Sequence, residues 1–286
     1  MTSPNPESVE DPEGLLSQSD HMRDMDQVQM EVVAIQRPFA SVARLVGRIE
    51  TADPAAWLPA NQAVRIEVET PAGQRPVSRI YTIRSFDAAT CMAEIDLVIH
   101  DDDSPAMRWL RAARPGTRVG TIGPRQHMVP CHAPGKRSAI FADETAIPAV
   151  FAILNEWPEG APGSLWIETA EPGAFDELPR LPGVDYHLIR RDAPAGTTSA
   201  LLSAAQAAIA SPEGWTLWAA GERQEMRNLR SHFRALGMAR DDLRVVGYWK
   251  LGTSSSDLDR IRLQEYNRIR QQGLRLEDLD DADLPI

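Results

Sequence analysis

RSAIFADETAIPAVFAILNEW, residues 137–157, is the stretch that decides the fold of this 286-residue chain. Its first part, RSAIFA (137–142), is an apolar run of strand length, whereas ETAIPAVFAILNEW (144–157) has the length of a helix. The alternation continues downstream, with strands predicted at SLWIETA, VDYHLI, GWTLWAAG and DDLRVVGYW and helices at TSALLSAAQAAIA and ERQEMRNLRSHFRALG. Strands that alternate with helices at this spacing predict an α/β domain with a parallel sheet.

Upstream of residue 131 the pattern consists of short strands. QMEVVAI, SVARLVGRIE, QAVRIEVE, PVSRIYTIR and CMAEIDLVI are bounded by Pro, Gly, Asn or Asp, and TRVGTIG follows a short helical segment, PAMRWLRAA (105–113). Five or six strands with one helix near the end predict a small antiparallel barrel. The predicted organisation is a disordered acidic tail (1–28), a barrel domain (29–130), an α/β domain (137–252), and a C-terminal helix with a second acidic tail (253–286).

The net charge of −11 belongs to the two ends of the chain. Residues 1–28 hold seven acidic residues and one arginine, and residues 274–286 hold five acidic residues and one arginine. The body of the protein is therefore nearly neutral. Because no segment has the basic surplus that phosphate-backbone binding needs, we expect no nucleic-acid partner.

Nothing in the sequence predicts a membrane or metal-bound protein. The acidic N-terminus has no basic segment followed by an apolar one, and the longest apolar run, AIPAVFAIL (146–154), is too short to span a bilayer. The two cysteines, Cys91 and Cys131, do not have metal-site spacing. We therefore predict a cytoplasmic protein without membrane insertion or a bound metal.

The strand SRIYTIRSF (78–86) carries an unusual set of polar side chains. Arg79, Tyr81, Thr82 and Arg84 lie within six residues and place a cation on each face. A cofactor with a pyrophosphate and a flat ring needs such groups: Arg79 for the phosphates, Tyr81 and Thr82 for the ring, and Arg84 for the phosphates or an anionic substrate. An edge strand with exposed arginines is the plainer alternative, and these residues alone favour it.

The stretch HDDDSPAMRWLRAA (100–113) predicts a helix N-terminus. Ser104 is at the N-cap position and Pro105 at the first helical position. Free backbone N–H groups and the positive end of the helix dipole attract an anion there. A well-capped structural helix explains the same residues, and His100 alone is equally typical of a structural histidine.

Six motifs in order resemble one known family. SRIYTIR, VIHDDDSPAMRWLRAARPGTRVGTIGPR, FADETAIPAV, IRRDAPAG, WAAGE and GYWKLG are similar to motifs of the siderophore-interacting proteins, which are FAD-containing ferric-siderophore reductases of the ferredoxin–NADP reductase-like group. The resemblance covers roughly residues 30–252. It implies an FAD-binding barrel, an NAD(P)H-binding α/β domain, and electron transfer from NAD(P)H through FAD to Fe(III) in a siderophore, with Fe(II) released in the cytoplasm.

The resemblance also assigns residues to FAD. It places Arg79 at the phosphates, Tyr81 and Thr82 at the isoalloxazine, and the segment from Val98 to Ala106 around the diphosphate. The sequence departs from the family where Asp101 and Ser104 replace glycines of the usual pattern. The predicted FAD-binding residues are Arg79, Tyr81, Thr82, Arg84, Val98, His100, Ser104 and Ala106.

The second domain lacks the G-x-G-x-x-G fingerprint of dinucleotide folds. By resemblance, Asp143, Glu144 and Thr145 lie at the nicotinamide end of an NAD(P)H site, and Gly221 and Glu222 of WAAGE close the same cleft. Arg190 and Arg191 are candidates to bind a 2′-phosphate, so we include Arg191 in the site and favour NADPH. The alternatives are that residues 143–145 form a loop that caps a core helix, and that the two arginines are solvated. A ferredoxin is a further candidate electron donor.

Three basic residues are predicted to bind the substrate. By resemblance, Arg65, Arg125 and Lys250 surround an open flavin edge and attract an anionic ferric siderophore; surface positions are the alternative. Because the cofactor carries the chemistry, no catalytic side chain is predicted. Two other functions stay open, a flavin-dependent reductase with a non-siderophore acceptor and a non-enzymatic siderophore-binding protein.

Overall fold

The computed structural model describes residues 25–71 and 76–253, together with eight helical positions between 257 and 271. These eight positions fall inside the predicted C-terminal helix. Most of the predicted N-terminal tail and all of the acidic stretch 274–286 lie outside the described residues. The first strand begins at Asp26, inside the segment predicted as tail, because Asp26–Glu31 pairs with Arg118–Gly123.

The N-terminal domain is an antiparallel barrel, as predicted. The barrel is closed, and its strand order is β1-β2-β5-β4-β3-β6. A helix, α1, lies between β5 and β6. In β5, Ala93, Ile95 and Leu97 are buried while the residues between them are half-buried, which is the alternation of a barrel wall. The elements are β1 (Asp26–Phe39), β2 (Val42–Ile49), β3 (Gln62–Glu69), β4 (Val77–Asp87), β5 (Met92–Val98), α1 (Pro105–Ala112) and β6 (Arg118–Gln126).

The C-terminal domain is a five-stranded parallel sheet with order β11-β10-β7-β8-β9, so the predicted α/β class is also confirmed. Strand β7 is central and its apolar side chains are buried on both faces, between two hydrophobic clusters. The elements are β7 (Arg137–Asp143), α2 (Ile147–Asn155), β8 (Gly163–Thr169), α3 (Pro172–Asp176), β9 (Val184–Arg190), α4 (Ala200–Ala208), β10 (Trp215–Glu222), α5 (Arg223–Ala235) and β11 (Leu243–Trp249).

The two domains pack against each other through apolar and polar contacts. Helix α2 lies against β4, and Ala60 and Val129 join the hydrophobic cluster that fills one face of the parallel sheet. Trp218 in β10 donates its indole N–H to the carbonyl of Met128, at 2.8 Å. These contacts place the carboxyl ends of β7, β10 and β11 opposite the barrel.

Candidate functional site

Strand β4 presents the predicted flavin-binding residues beside the barrel core. Tyr81 packs against the barrel cluster, and burial raises its pKa to about 12, so its hydroxyl stays protonated. Ile80 points to solvent with 46% of its surface exposed. The Arg79 guanidinium donates to the carbonyl of Ser78, at 2.9 Å. Arg79 and Tyr81 therefore place polar groups in the barrel wall. Their roles in binding FAD remain predictions.

Arg84 occupies a different setting from the one predicted. Its side chain is 3% exposed, and its guanidinium forms ion pairs with Glu177 (2.8 Å) and Asp96 (3.4 Å). It also lies 3.7 Å from the ring centroid of Phe151 in α2. Arg44 completes the cluster with a 2.7 Å bond to each of the two carboxylates. These contacts give Arg84 a role in joining the domains, and they do not support its predicted role at FAD.

The N-terminus of α1 offers unfilled hydrogen-bond donors. Ser104 is the N-cap residue as predicted, but its side chain forms no capping bond. Among the described residues, no acceptor contacts the backbone N–H groups of Ala106 and Met107. Asp103 pairs with Arg108 and Arg111, whereas the Asp102 carboxylate accepts from the Ser104 N–H and stays at the terminus. The N–H groups of Ala106 and Met107 can receive a diphosphate, with one carboxylate held next to the N-cap residue.

A tyrosine that the sequence analysis did not single out connects the sheet to the barrel. The Tyr248 hydroxyl donates to Oδ1 of Asn61, at 2.9 Å, and also interacts with Thr82. Burial is the main reason why the pKa of Tyr248 is raised. The aromatic pair in GYWKLG was the available signal for Tyr248, whereas the contact with Asn61 joins residues 187 positions apart.

Asp143 is the centre of the predicted nicotinamide end. Its Oδ1 accepts from the N–H (2.9 Å) and hydroxyl (2.5 Å) of Thr145, and its Oδ2 accepts from the Trp249 indole at 2.7 Å. Burial raises the pKa of this carboxyl to about 6. A Cβ on Gly221 would lie 2.7 Å from Oδ2 of Asp143, which explains the glycine. The structure thus brings Asp143, Thr145 and Gly221 together.

The other predicted NAD(P)H residues have structural partners. Glu222 caps α5 by accepting from the N–H groups of Gln224 and Glu225, and its second oxygen accepts from the N–H of Leu251. Arg191 forms an ion pair with Glu144, and its side chain is 9% exposed. The Glu144 carboxylate binds the Arg191 guanidinium, which was predicted to bind the 2′-phosphate of NADPH. The predicted preference for NADPH therefore gains no support from the structure.

The three predicted substrate cations differ in their environment. Ala63 in β3 lies opposite both Thr82 and Arg125, so these residues share the outer face of the barrel wall. Arg65 lies two residues along β3 and is 9% exposed, with a 3.4 Å contact to the Ser78 hydroxyl. Arg125 and Lys250 are half-buried, and their side chains have no hydrogen-bond or ion-pair partner in the described part of the chain. They are the two cations best able to receive an anion.

Comparisons with known proteins decide the family. Residues 136–252 match the family described as "Siderophore-interacting protein", and residues 36–128 match the "Siderophore-interacting FAD-binding domain". The chain belongs to the siderophore-interacting protein family. The family predicted from the six sequence motifs is thereby confirmed.

Known proteins are similar to this chain over much of its length. The ferric acinetobactin reductase of Acinetobacter baumannii is 42% identical over 271 residues, which cover 94% of each protein. The ferric vibriobactin reductase of Vibrio cholerae is 28% identical over 185 residues, 62% of this chain and 66% of that protein. The solved siderophore-interacting protein of A. baumannii has a TM-score of 0.82 and 41% identity, and the match covers 87% of this chain and 100% of that one.

Neither a membrane-spanning helix nor a metal-binding cluster occurs among the described residues. No helix there is long and apolar enough to cross a membrane. No group of three or more histidine, cysteine, aspartate or glutamate side chains there is arranged to hold a metal ion.

Proposed function

We propose that this chain is a ferric-siderophore reductase that uses FAD to pass electrons from NAD(P)H to Fe(III) held in a siderophore, in the cytoplasm. The observation that carries the proposal is the meeting of Thr82 and Tyr248. These residues bring the predicted flavin-binding strand against the carboxyl edge of the parallel sheet, where a dinucleotide is expected. The 42% identity to a ferric acinetobactin reductase supports the same activity.

The barrel residues fit FAD. The uncapped N-terminus of α1 offers the N–H groups of Ala106 and Met107 to a diphosphate, and Arg79 adds a cation on β4. Thr82 offers a hydroxyl group to the ring from the outer face of the barrel, whereas Tyr81 lies on the opposite face of β4 and packs against the barrel cluster. When bound, FAD supplies the exchange between a two-electron donor and the one-electron reduction of ferric iron.

The substrate is a ferric siderophore held by cations. Arg125 shares the outer barrel face with Thr82, and Lys250 directly follows the aromatic pair at the end of β11. Because neither cation has a partner among the described residues, both are available to an anionic complex such as a ferric catecholate. Arg65 contributes positive charge from the same face. Reduced iron is bound less tightly by hard oxygen ligands, so reduction releases Fe(II).

The donor is NAD(P)H, bound at Asp143, Thr145 and Gly221 in the crevice at the carboxyl ends of β7 and β10. Glu144 and Glu222 border the same crevice. A preference for NADPH would require Arg191 to leave Glu144. A reduced ferredoxin is the alternative donor, and it would not need the crevice.

The test is an absorption spectrum of the purified protein under anaerobic conditions. Flavin bands should bleach with NADPH or NADH and return when a ferric siderophore is added. Bleaching only by a chemical reductant would move the donor to a partner protein. A protein that stays colourless after FAD is added would refute the reductase and leave a siderophore-binding protein.

The acceptor is tested with charge variants. Arg125→Ala and Lys250→Ala should slow reoxidation of the reduced flavin by an anionic ferric siderophore and leave reoxidation by an uncharged quinone unchanged. Arg48→Ala is the matched control, because Arg48 is an exposed barrel arginine on β2. Equal slowing with both acceptors would favour a flavin-dependent reductase whose acceptor is not a siderophore.

A further inference from the structure

Ile80 is an exposed apolar side chain in the middle of the barrel wall. It lies in β4 with 46% of its surface exposed, and among the described residues the barrel strands hold one other exposed large apolar side chain, Val33 in β1. A single exposed apolar residue is common on protein surfaces and by itself indicates no function. The neighbours of Ile80 are what distinguish it.

The strand register places Ile80 among the residues predicted to receive the acceptor. Ile80 lies opposite Arg65 of β3, and Thr82, two residues along β4, lies opposite Ala63. Ala63 in turn lies opposite Arg125 of β6. Since side chains alternate between the two faces of a strand, all five residues project from the outer face of the wall. The isoleucine is therefore an apolar contact beside two predicted substrate cations.

The spacing of these side chains suits one flat ring. Ile80 and Arg65 form a directly opposed pair, with Cβ atoms about 5 Å apart. Arg125 is two strands away and displaced by two residues, which separates its Cα from that of Ile80 by about 12 Å. The long arginine side chain can cover much of this distance. A ring that rests on Ile80 can thus direct its oxygen atoms toward the Arg125 guanidinium.

A carboxylate limits this surface on the side away from Thr82. Glu67 lies opposite Ser78, so its side chain projects from the same face as Ile80. It lies over Gly120 of β6, because a Cβ at this glycine would overlap Oε2 of Glu67. Because like charges repel, an anionic ligand avoids this end. The anion is thereby directed toward Thr82, where the flavin ring is predicted.

We propose that Ile80 is the residue by which the acceptor site selects a chelate with an aromatic iron ligand: the face of the aryl ring packs on Ile80 while its anionic oxygen atoms face Arg125. This selection rests on the proposed function for its acceptor and for FAD beside Thr82. The two contacts are separable, since a cation attracts any anionic chelate whereas an isoleucine stabilises only a ligand with an apolar face. An aliphatic chelate such as ferric citrate meets the cations but offers no ring.

The first test is equilibrium binding of redox-inert gallium(III) complexes to the FAD-loaded protein, measured by calorimetry. The probes are gallium(III) tris-catecholate and gallium(III) citrate, which are both anionic. Ile80→Val removes one methylene group and should raise the ratio of the catecholate Kd to the citrate Kd by up to about four-fold. Ile80→Thr removes more apolar surface and should raise this ratio by about ten-fold. Both replacements are β-branched, so they suit a strand.

Two control variants separate the apolar contact from charge and from a general effect on the barrel. Arg125→Ala should raise both Kd values, so their ratio should change less than in Ile80→Thr. Val33→Thr alters an exposed apolar residue of β1, which pairs with neither β3 nor β4, and should keep the wild-type ratio. A wild-type ratio in Ile80→Thr, or an equally raised ratio in Val33→Thr, would overturn the proposal.

The second test measures reoxidation of the dithionite-reduced protein by ferric catecholate and by ferric citrate. The ratio of the two second-order rate constants should fall in Ile80→Thr by the factor by which the Kd ratio rises. If gallium binding depends on Ile80 but neither ferric complex reoxidises the flavin, the proposed reductase is refuted and the aryl contact stands. If both ferric complexes are reduced and the variant keeps the wild-type ratios of binding and rate, the reductase stands and the aryl contact is refuted.

Discussion

Arg84→Met tests whether this buried guanidinium joins the domains or holds the cofactor. Arg84 and Arg44 together balance the carboxylates of Asp96 and Glu177. Removing Arg84 leaves one uncompensated negative charge at the domain interface, while methionine retains an apolar contact with Phe151. The apoprotein should lose stability, and the affinity of the folded protein for FAD should change little.

The size of the loss follows from the geometry. Breaking a fully buried ion pair by removing one partner costs about 3–5 kcal/mol. Here the Glu177 side chain is 32% exposed and Arg44 still binds both carboxylates, so we expect about 2–3 kcal/mol. For a chain of this size, each kcal/mol lowers Tm by roughly 2–3 °C, so the Tm should fall by about 4–9 °C.

Thermal unfolding of the apoprotein and an FAD titration provide the assay. Arg118→Met removes an exposed ion pair with Glu50 and should cost less than about 1 kcal/mol, which makes it the matched control. In the double variant Arg84→Met/Glu177→Gln, the loss should be smaller than the sum of the single losses. An unchanged apoprotein Tm together with an FAD Kd raised by about ten-fold or more would refute the structural role and restore the predicted one.

Three further predictions concern the crevice. Gly221→Ala should destabilise the fold by about 1–3 kcal/mol, because its Cβ would lie 2.7 Å from Asp143, and an unchanged Tm would contradict this packing. The pKa of Asp143 is raised to about 6 from an ordinary value of 3.8, so the folded state loses stability relative to the unfolded state as the pH rises through that window. The free energy of unfolding of Asp143→Asn should lack this pH dependence. As the pH rises through the window, the variant should therefore gain up to about 3 kcal/mol of stability relative to the wild type. A difference in unfolding free energy that does not change with pH would count against the raised pKa of Asp143. Glu144→Gln should free Arg191 and raise the ratio of kcat/KM for NADPH to that for NADH by several-fold, while an unchanged ratio would show that Arg191 does not reach the 2′-phosphate.

The parts of the fold that could be predicted are those with a local pattern. The alternation of Ala93, Ile95 and Leu97 predicts a barrel strand because one face of each strand is buried. The continuous apolar run of β7, followed by a helix-length segment, predicts a central parallel strand. Helix α3 (Pro172–Asp176) was missed because five residues are too few to show a helical period.

The candidate site was less accessible from sequence because its contacts are long-range. Motif order predicted β4, α1 and the end of β7 as the parts of the site. It did not reveal that Arg84 pairs with Glu177, or that Arg191 pairs with Glu144, since each pairing depends on where another element packs. A basic residue in a motif therefore indicates a cation, and only the fold shows whether that cation is already bound to a carboxylate.

Asn61 links the barrel to the end of β11 through both ends of its side-chain amide. Its Oδ1 accepts from Tyr248, and its Nδ2 donates at 2.7 Å to the Met128 carbonyl, which also accepts from Trp218 of β10. The position of Tyr248 against the barrel is thus fixed from both domains. Tyr248 and Trp249 are consecutive residues of one bulge, so a displacement of the indole acts directly on the backbone that holds Tyr248. If the donor binds at the carboxyl edge of the sheet as proposed, its entry beside Trp249 is therefore expected to affect the position of Tyr248 against the barrel.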